Sequence, residues 1–140
     1  MNTFLTVKNL LARGGYSCVI ADRDRVMTSR ARGIAPLLER AERSERLEGA
    51  FVADRIIGKA AAMLLVVMRV ASVYGQIMSR EAEALLSANG IEVEYGALTD
   101  HIINRCGDGL CPMEQAVRDL TDCAAAPAVL RRRIEELRGK

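Results

Sequence analysis

The chain has 140 residues, a length that suits one domain with one core. Half of its residues are hydrophobic, 4% are aromatic and none is Trp, so that core is aliphatic. A net charge of +2 argues against an obligate nucleic-acid binder, and the longest unbroken apolar run, Ala60 to Met68, is far short of the roughly 20 residues a membrane span needs.

The amino terminus lacks a basic-then-apolar leader with a cleavage site, so a cytoplasmic protein is expected. In that compartment Cys18, Cys106, Cys111 and Cys123 are expected as free thiols.

Along the chain, Thr3 to Arg13 sets Phe4, Val7, Leu10 and Leu11 on one helical face, and Gly14-Gly15 stops it. Ser17 to Ala21 reads as a strand. Asp22 to Arg25 is a polar turn and Val26 to Thr28 a short partner strand, which predicts a hairpin. Ile34, Leu37, Leu38 and Ala41 mark a helix with Pro36 in its first turn, where a missing N–H costs nothing.

Phe51 to Ile57 is rich in bulky and β-branched residues and predicts a strand. It turns at Gly58-Lys59 into a nearly all-apolar helix from Ala60. Val73 to Met78 is a further strand. Ser79 caps the next helix, Ala82, Leu85 and Leu86 form its inner face, and Asn89-Gly90 ends it. Ile91 to Tyr95 alternates as a half-exposed strand does. Asp100 to Leu110 has no clear assignment. Cys111-Pro-Met-Glu114 opens a helix with Met113, Ala116, Val117 and Leu120 inward, and Pro127 restarts the chain into a last helix with Leu130, Ile134 and Leu137 inward. The order predicts one α/β domain over residues 1–140, with about five strands and helices on both faces.

The Gly58-Lys59 turn is the main candidate site. Gly58 lets a ligand or another backbone approach closely. The first amides of the following helix are unpaired and carry partial positive charge, and Lys59 adds a full one. The combination attracts phosphate or carboxylate. Set against this is the plain alternative of a tight turn with a solvated lysine. Two familiar phosphate motifs are excluded. Ala53 and Ala60 stand where a P-loop needs Gly and Ser/Thr, and Pro112 stands where the run from Gly107 would need its third glycine.

Cys111 falls at the cap of the helix opened by Pro112, where a thiolate is stabilised, and Glu114 is spaced to reach back to the cap's N–H. The alternative is a packed structural cap. His101, Cys106 and Cys111 form at most an incomplete zinc set, because a structural site needs a second Cys or His pair. Asp54, inside an apolar strand, requires a partner, for which Arg55, Arg32 and Lys59 are candidates. It reads equally as a ligand contact or base and as half of a structural ion pair. Arg131-Arg-Arg133 reads as a solvated face and only weakly as an RNA contact.

Several blocks together resemble a small prokaryotic family classed as a domain of unknown function and assigned a cytidine-deaminase-like fold. They are Tyr16-Ser-Cys-Val19, Arg32-Gly-Ile-Ala-Pro-Leu-Leu38, Gly49-Ala-Phe-Val-Ala-Asp54, Gly58-Lys-Ala-Ala-Ala-Met63, and Asn104-Arg105 followed by Gly107-Asp-Gly-Leu-Cys-Pro-Met-Glu114. The resemblance implies a three-layer α-β-α sandwich with a mixed sheet of about five strands. A true deaminase opens the helix after its third strand with His-x-Glu or Cys-x-Glu and supplies two more zinc ligands from Pro-Cys-x-x-Cys. This chain has Gly58-Lys59-Ala60 in the first place and a single thiol, Cys111, in the second. The resemblance therefore implies a metal-free pocket, with no cofactor, onto which Gly58, Lys59, Cys111 and Glu114 converge.

The expected function is binding of a nucleotide or similar anionic metabolite by Gly58 and Lys59, with Arg32, Asn104 or Arg105 assisting. The first alternative is an enzyme acting on a nucleotide-derived substrate through Cys111 as nucleophile, or Asp54 as acceptor or base, with Glu114 beside them. The second is an interaction protein whose apolar helices build a homo-oligomer. No membrane partner is expected.

Overall fold

In the computed structural model, which describes residues 3–43, 47–104, 107 and 109–139, five strands form one sheet in the order β2-β1-β3-β4-β5. The hairpin β1 (Cys18–Asp22) and β2 (Arg25–Ser29) is antiparallel, and β1 also runs antiparallel to β3 (Phe51–Ile57). β4 (Ser72–Ser79) and β5 (Glu92–Thr99) continue from β3 in parallel. The mixture follows from the connections. The hairpin reverses the chain in two residues, whereas the parallel strands are each joined by a helical crossover.

Those helices make the layers. α1 (Phe4–Gly14) lies on one face, with Val7 and Leu11 packed on Val19, Ala21 and Ala53. Thr3 and Thr6 cap it reciprocally, and Gly15 closes it at φ +70°. On the other face, α2 (Ala35–Glu42), α3 (Lys59–Met68), α4 (Arg80–Ala88) and α6 (Ala126–Arg138) share one large cluster. α3 is its centre: Ala60 to Leu65 and Met68 are all buried. Each fully covered Leu or Met contributes roughly 1.5–3 kcal/mol. The result is a three-layer α/β arrangement with a five-stranded mixed sheet, and among the described residues α1 is the helix that packs on its second face. No helix among the described residues is long and apolar enough to cross a membrane.

Three elements differ from expectation. β5 runs to Thr99, four residues past Tyr95. Gly96-Ala97 has little strand propensity, but the ladder with β4 continues to Ser79↔Thr99. A side chain at Gly96 would also lie 2.8 Å from the Gln76 carbonyl. The unassigned segment holds a short return, in which Ile103 bridges Leu110 and the Cys111 N–H donates to the Ile102 carbonyl at 2.9 Å. The helix opened by Pro112, α5, covers only Pro112–Ala116, and a 3-10 turn at Cys123–Ala125 precedes α6.

The parallel strands also share a change of face. Val52, Val73 and Val93 are in register and pack in the large cluster, and so do Ile57, Met78 and Leu98. Rows five residues apart fall on opposite faces of an uninterrupted strand, so all three strands shift between them. In the shift the Ile56 N–H donates to the Asp54 carboxylate at 3.1 Å, and Ile56, Ile77 and Ala97 are left exposed as a row.

Candidate functional site

The start of α3 is built as a seat for two oxygen atoms. Gly58 is its cap residue, extended at φ −103° and ψ −174°, with no side chain to accept from the first-turn amides. The N–H groups of Lys59 and Ala60 point forward unpaired by the helix, as first-turn amides do. The seat is filled from within the chain. Glu114 accepts the Lys59 N–H on Oε1 and the Ala60 N–H on Oε2, each at 2.8 Å. Gly58 is required here for space, not for backbone conformation. A Cβ on it would collide with the Glu114 carboxylate, 2.6 Å from its Cδ.

Glu114 thus takes a different partner from the one its spacing suggested. The Cys111 N–H, which a capping box would give it, is already donated to Ile102. The thiol of Cys111 makes no cap bond either. A carboxylate at α5 bonds instead to the amides of a ten-residue helix, which carries the larger end charge.

Lys59 extends past this seat. Its ammonium donates to the Arg118 carbonyl at 3.1 Å and stands 4.0 Å from the Glu81 carboxylate. Both Lys59 and Glu114 line a small cavity of about 70 Å³ at the ends of β4 and β5, together with Ser79, Asp100, His101 and Arg118. The cavity wall is mixed in charge, since Glu81, Asp100 and Glu114 offset Lys59 and Arg118.

Asp54 occupies a different place. It pairs with Cys18 across β1 and β3. Burial pushes its carboxyl up to about 6, against the pull of the Ile56 N–H, the Cys18 thiol, the Arg55 N–H and the Arg55 charge. Burial likewise pushes the Cys18 thiol up, and the adjacent Asp54 charge pushes it the same way. The guanidinium of Arg55 itself donates to Gln76 at 3.2 Å. Among the described residues, Arg32 and Lys59 make no hydrogen bond to Asp54.

The structure therefore brings Gly58, Lys59 and Glu114 together. Cys111 and Asp54 do not line the cavity, nor do Arg32, which is exposed ahead of α2, and Asn104. Arg105 lies outside the described residues, as does Cys106 of the incomplete zinc set. Among the described residues, no group of three His, Cys, Asp or Glu side chains is placed to hold a metal ion. Cys18, Cys111 and Cys123 are free thiols. Nothing in the sequence marks Ser79, Asp100 or Arg118 as site residues. Ser79 carried a helix-cap signal only, and no spacing rule ties Lys59 to a carbonyl 59 residues later.

Comparison with functionally curated proteins gave no match. A solved structure with the same fold is that of a DUF1893 family protein (TM1506) from Thermotoga maritima. It is 23% identical, covers 94% of this chain and 88% of its own, and superposes with a TM-score of 0.80. The family model described as a domain of unknown function (DUF1893, TM1506) matches residues 6–134. The chain belongs to the DUF1893 family.

Proposed function

We propose that this protein is a binding module for a nucleotide or nucleotide-derived anionic metabolite, held in a metal-free, cytidine-deaminase-like cleft at the start of α3. The observation that carries the reading is the Glu114 carboxylate on the Lys59 and Ala60 amides. An anion already rests there, with two oxygens matched to two donors and the Lys59 ammonium in the adjoining cavity. A ligand phosphate or carboxylate takes the same positions when Glu114 swings aside, and Lys59 supplies the compensating charge. Cys111 and Asp54 stand outside this cavity, which favours binding over catalysis at it.

Calorimetric titration with nucleoside monophosphates tests the reading. Lys59→Ala should weaken binding by about 1.5–3 kcal/mol, since a charge-assisted contact is lost. Glu114→Gln should tighten it about fivefold, because the internal competitor is weakened by about 1 kcal/mol. Absence of nucleotide binding in both wild type and Glu114→Gln would sink the proposal.

One observation favours a homo-oligomer as well. Ile56, Ile77 and Ala97 form an exposed apolar row on a face that α1 only partly covers. Sedimentation equilibrium should show an oligomer that Ile77→Glu dissociates. A monomeric wild type would refute this.

A further inference from the structure

The short helix α5 is held over the start of α3 by polar bonds more than by packing. None of its five residues is fully buried, although Met113 and Ala116 touch the main cluster. So short a helix is not stable by itself. The hold runs in both directions. Glu114 of α5 accepts the Lys59 and Ala60 N–H groups, and the Lys59 ammonium of α3 donates to the carbonyl of Arg118, just past the end of α5.

On the side of α6, α5 has little support. A cleft of about 360 Å³ separates Gln115 and Ala116 from Val129, Arg132 and Glu136 of α6. The two ends of the segment are better fixed. The Cys111 N–H donates to the Ile102 carbonyl, and Val117 is fully buried. Between these anchors α5 has room to tilt. Tilting toward α6 sets Ala116 against Val129, frees the two α3 amides and releases the Lys59 ammonium from Arg118.

We propose that α5 is a two-position strap, latched on α3 by Glu114 and Lys59 and released toward α6 when an anion takes the α3 seat. The inference rests on the binding reading above and adds its regulation. The chain inhibits its own site, and occupancy of the seat is passed to the surface between α5 and α6. The coupling is reciprocal, so whatever holds α5 against α6 also opens the seat.

Amide exchange followed by NMR on the intact protein tests the latch without a ligand. The Gln115 and Arg118 N–H groups donate to the Cys111 and Gln115 carbonyls, so Glu114→Ala removes the acceptor of neither. It should nonetheless speed their exchange about tenfold, because losing charge-assisted bonds raises the population of the open segment. Lys59→Ala should act in the same direction, and Ile134 in α6 should not change. Faster exchange confined to Lys59 and Ala60 in Glu114→Ala, or an equal rise at Ile134, overturns the strap. A second arm adds adenosine monophosphate to the wild type, where the Ala60, Gln115 and Val129 amide signals should shift together. A shift at Ala60 with Gln115 and Val129 unmoved overturns the release of α5 and leaves the binding reading intact. An unmoved Ala60 signal sinks the binding reading and, with it, release by an anion.

Discussion

The Glu114 carboxylate takes hydrogen bonds from two amides at the positive end of α3, whereas that of Asp54, on the strand feeding the same helix, is met by the Ile56 and Arg55 amides and the Cys18 thiol but lies half-buried in the sheet. Glu114 supplies what the helix start lacks, so its negative charge is matched by fixed dipoles. Asp54 sits partly buried beside Cys18, and there burial outweighs the hydrogen bonds and raises its pKa to about 6. The contrast teaches that a carboxylate's role is set by its surroundings: two similar sets of donors leave one carboxylate matched to a helix end and the other dominated by burial.

Gly58→Ala should break the Glu114 arrangement most severely. The new methyl displaces the carboxylate and leaves two amides without an acceptor, at a cost of roughly 3 kcal/mol. Denaturant unfolding measures it. In a Glu114→Ala background the same Gly58→Ala change should cost little, because nothing remains to collide with. An undiminished cost there would show that Gly58 serves some other need.

The Asp54 side of the comparison is read out by pH. Its folded pKa, about 6, lies above an unfolded value near 3.9. The folded protein thus binds more protons between these limits. Asp54 contributes stability that is fully present below about pH 4 and lost as pH rises through 6. The two-unit difference corresponds to about 2–3 kcal/mol as an order of magnitude. Asp54→Asn should remove this loss, so wild type minus variant should show a downward slope across pH 4 to 7. A flat difference would mean that Asp54 is not held in its protonated form by the fold.

Glu114→Gln should have the smallest effect on stability, about 1 kcal/mol, since one oxygen acceptor remains while the charge and one of the two hydrogen bonds are lost. Comparing it with Gly58→Ala separates the loss of one bond and the charge from the loss of both bonds. A loss as large as that of Gly58→Ala would show that a single remaining amide bond contributes almost nothing.

Much of the fold was legible in local pattern. Helix faces such as Val7/Leu11 and Leu37/Leu38/Ala41, the hairpin around Arg23, the Ser79 cap and the Gly90 stop all rest on contacts within a few residues, and the sequence states those directly. β5 was read short because Gly96-Ala97 is a poor strand by propensity. Its extension depends on Gln76 and the rest of β4 alongside.

The candidate site divides along the same line. The sequence by itself determined a bare helix start at Gly58-Lys59, with unpaired amides, a lysine and room for close approach, because all of these are properties of consecutive residues. It also identified Glu114 as a carboxylate at the opening of a helix. Only the tertiary structure decided that Glu114 fills the α3 seat and Ile102 the Cys111 N–H, that Asp54 faces Cys18, and that Arg133 is left with a buried donor. Each of these is a choice among several chemically adequate partners far apart in the chain. Sequence spacing fixes distance along one helix or strand, and the distance between elements is set by how the layers pack around α3.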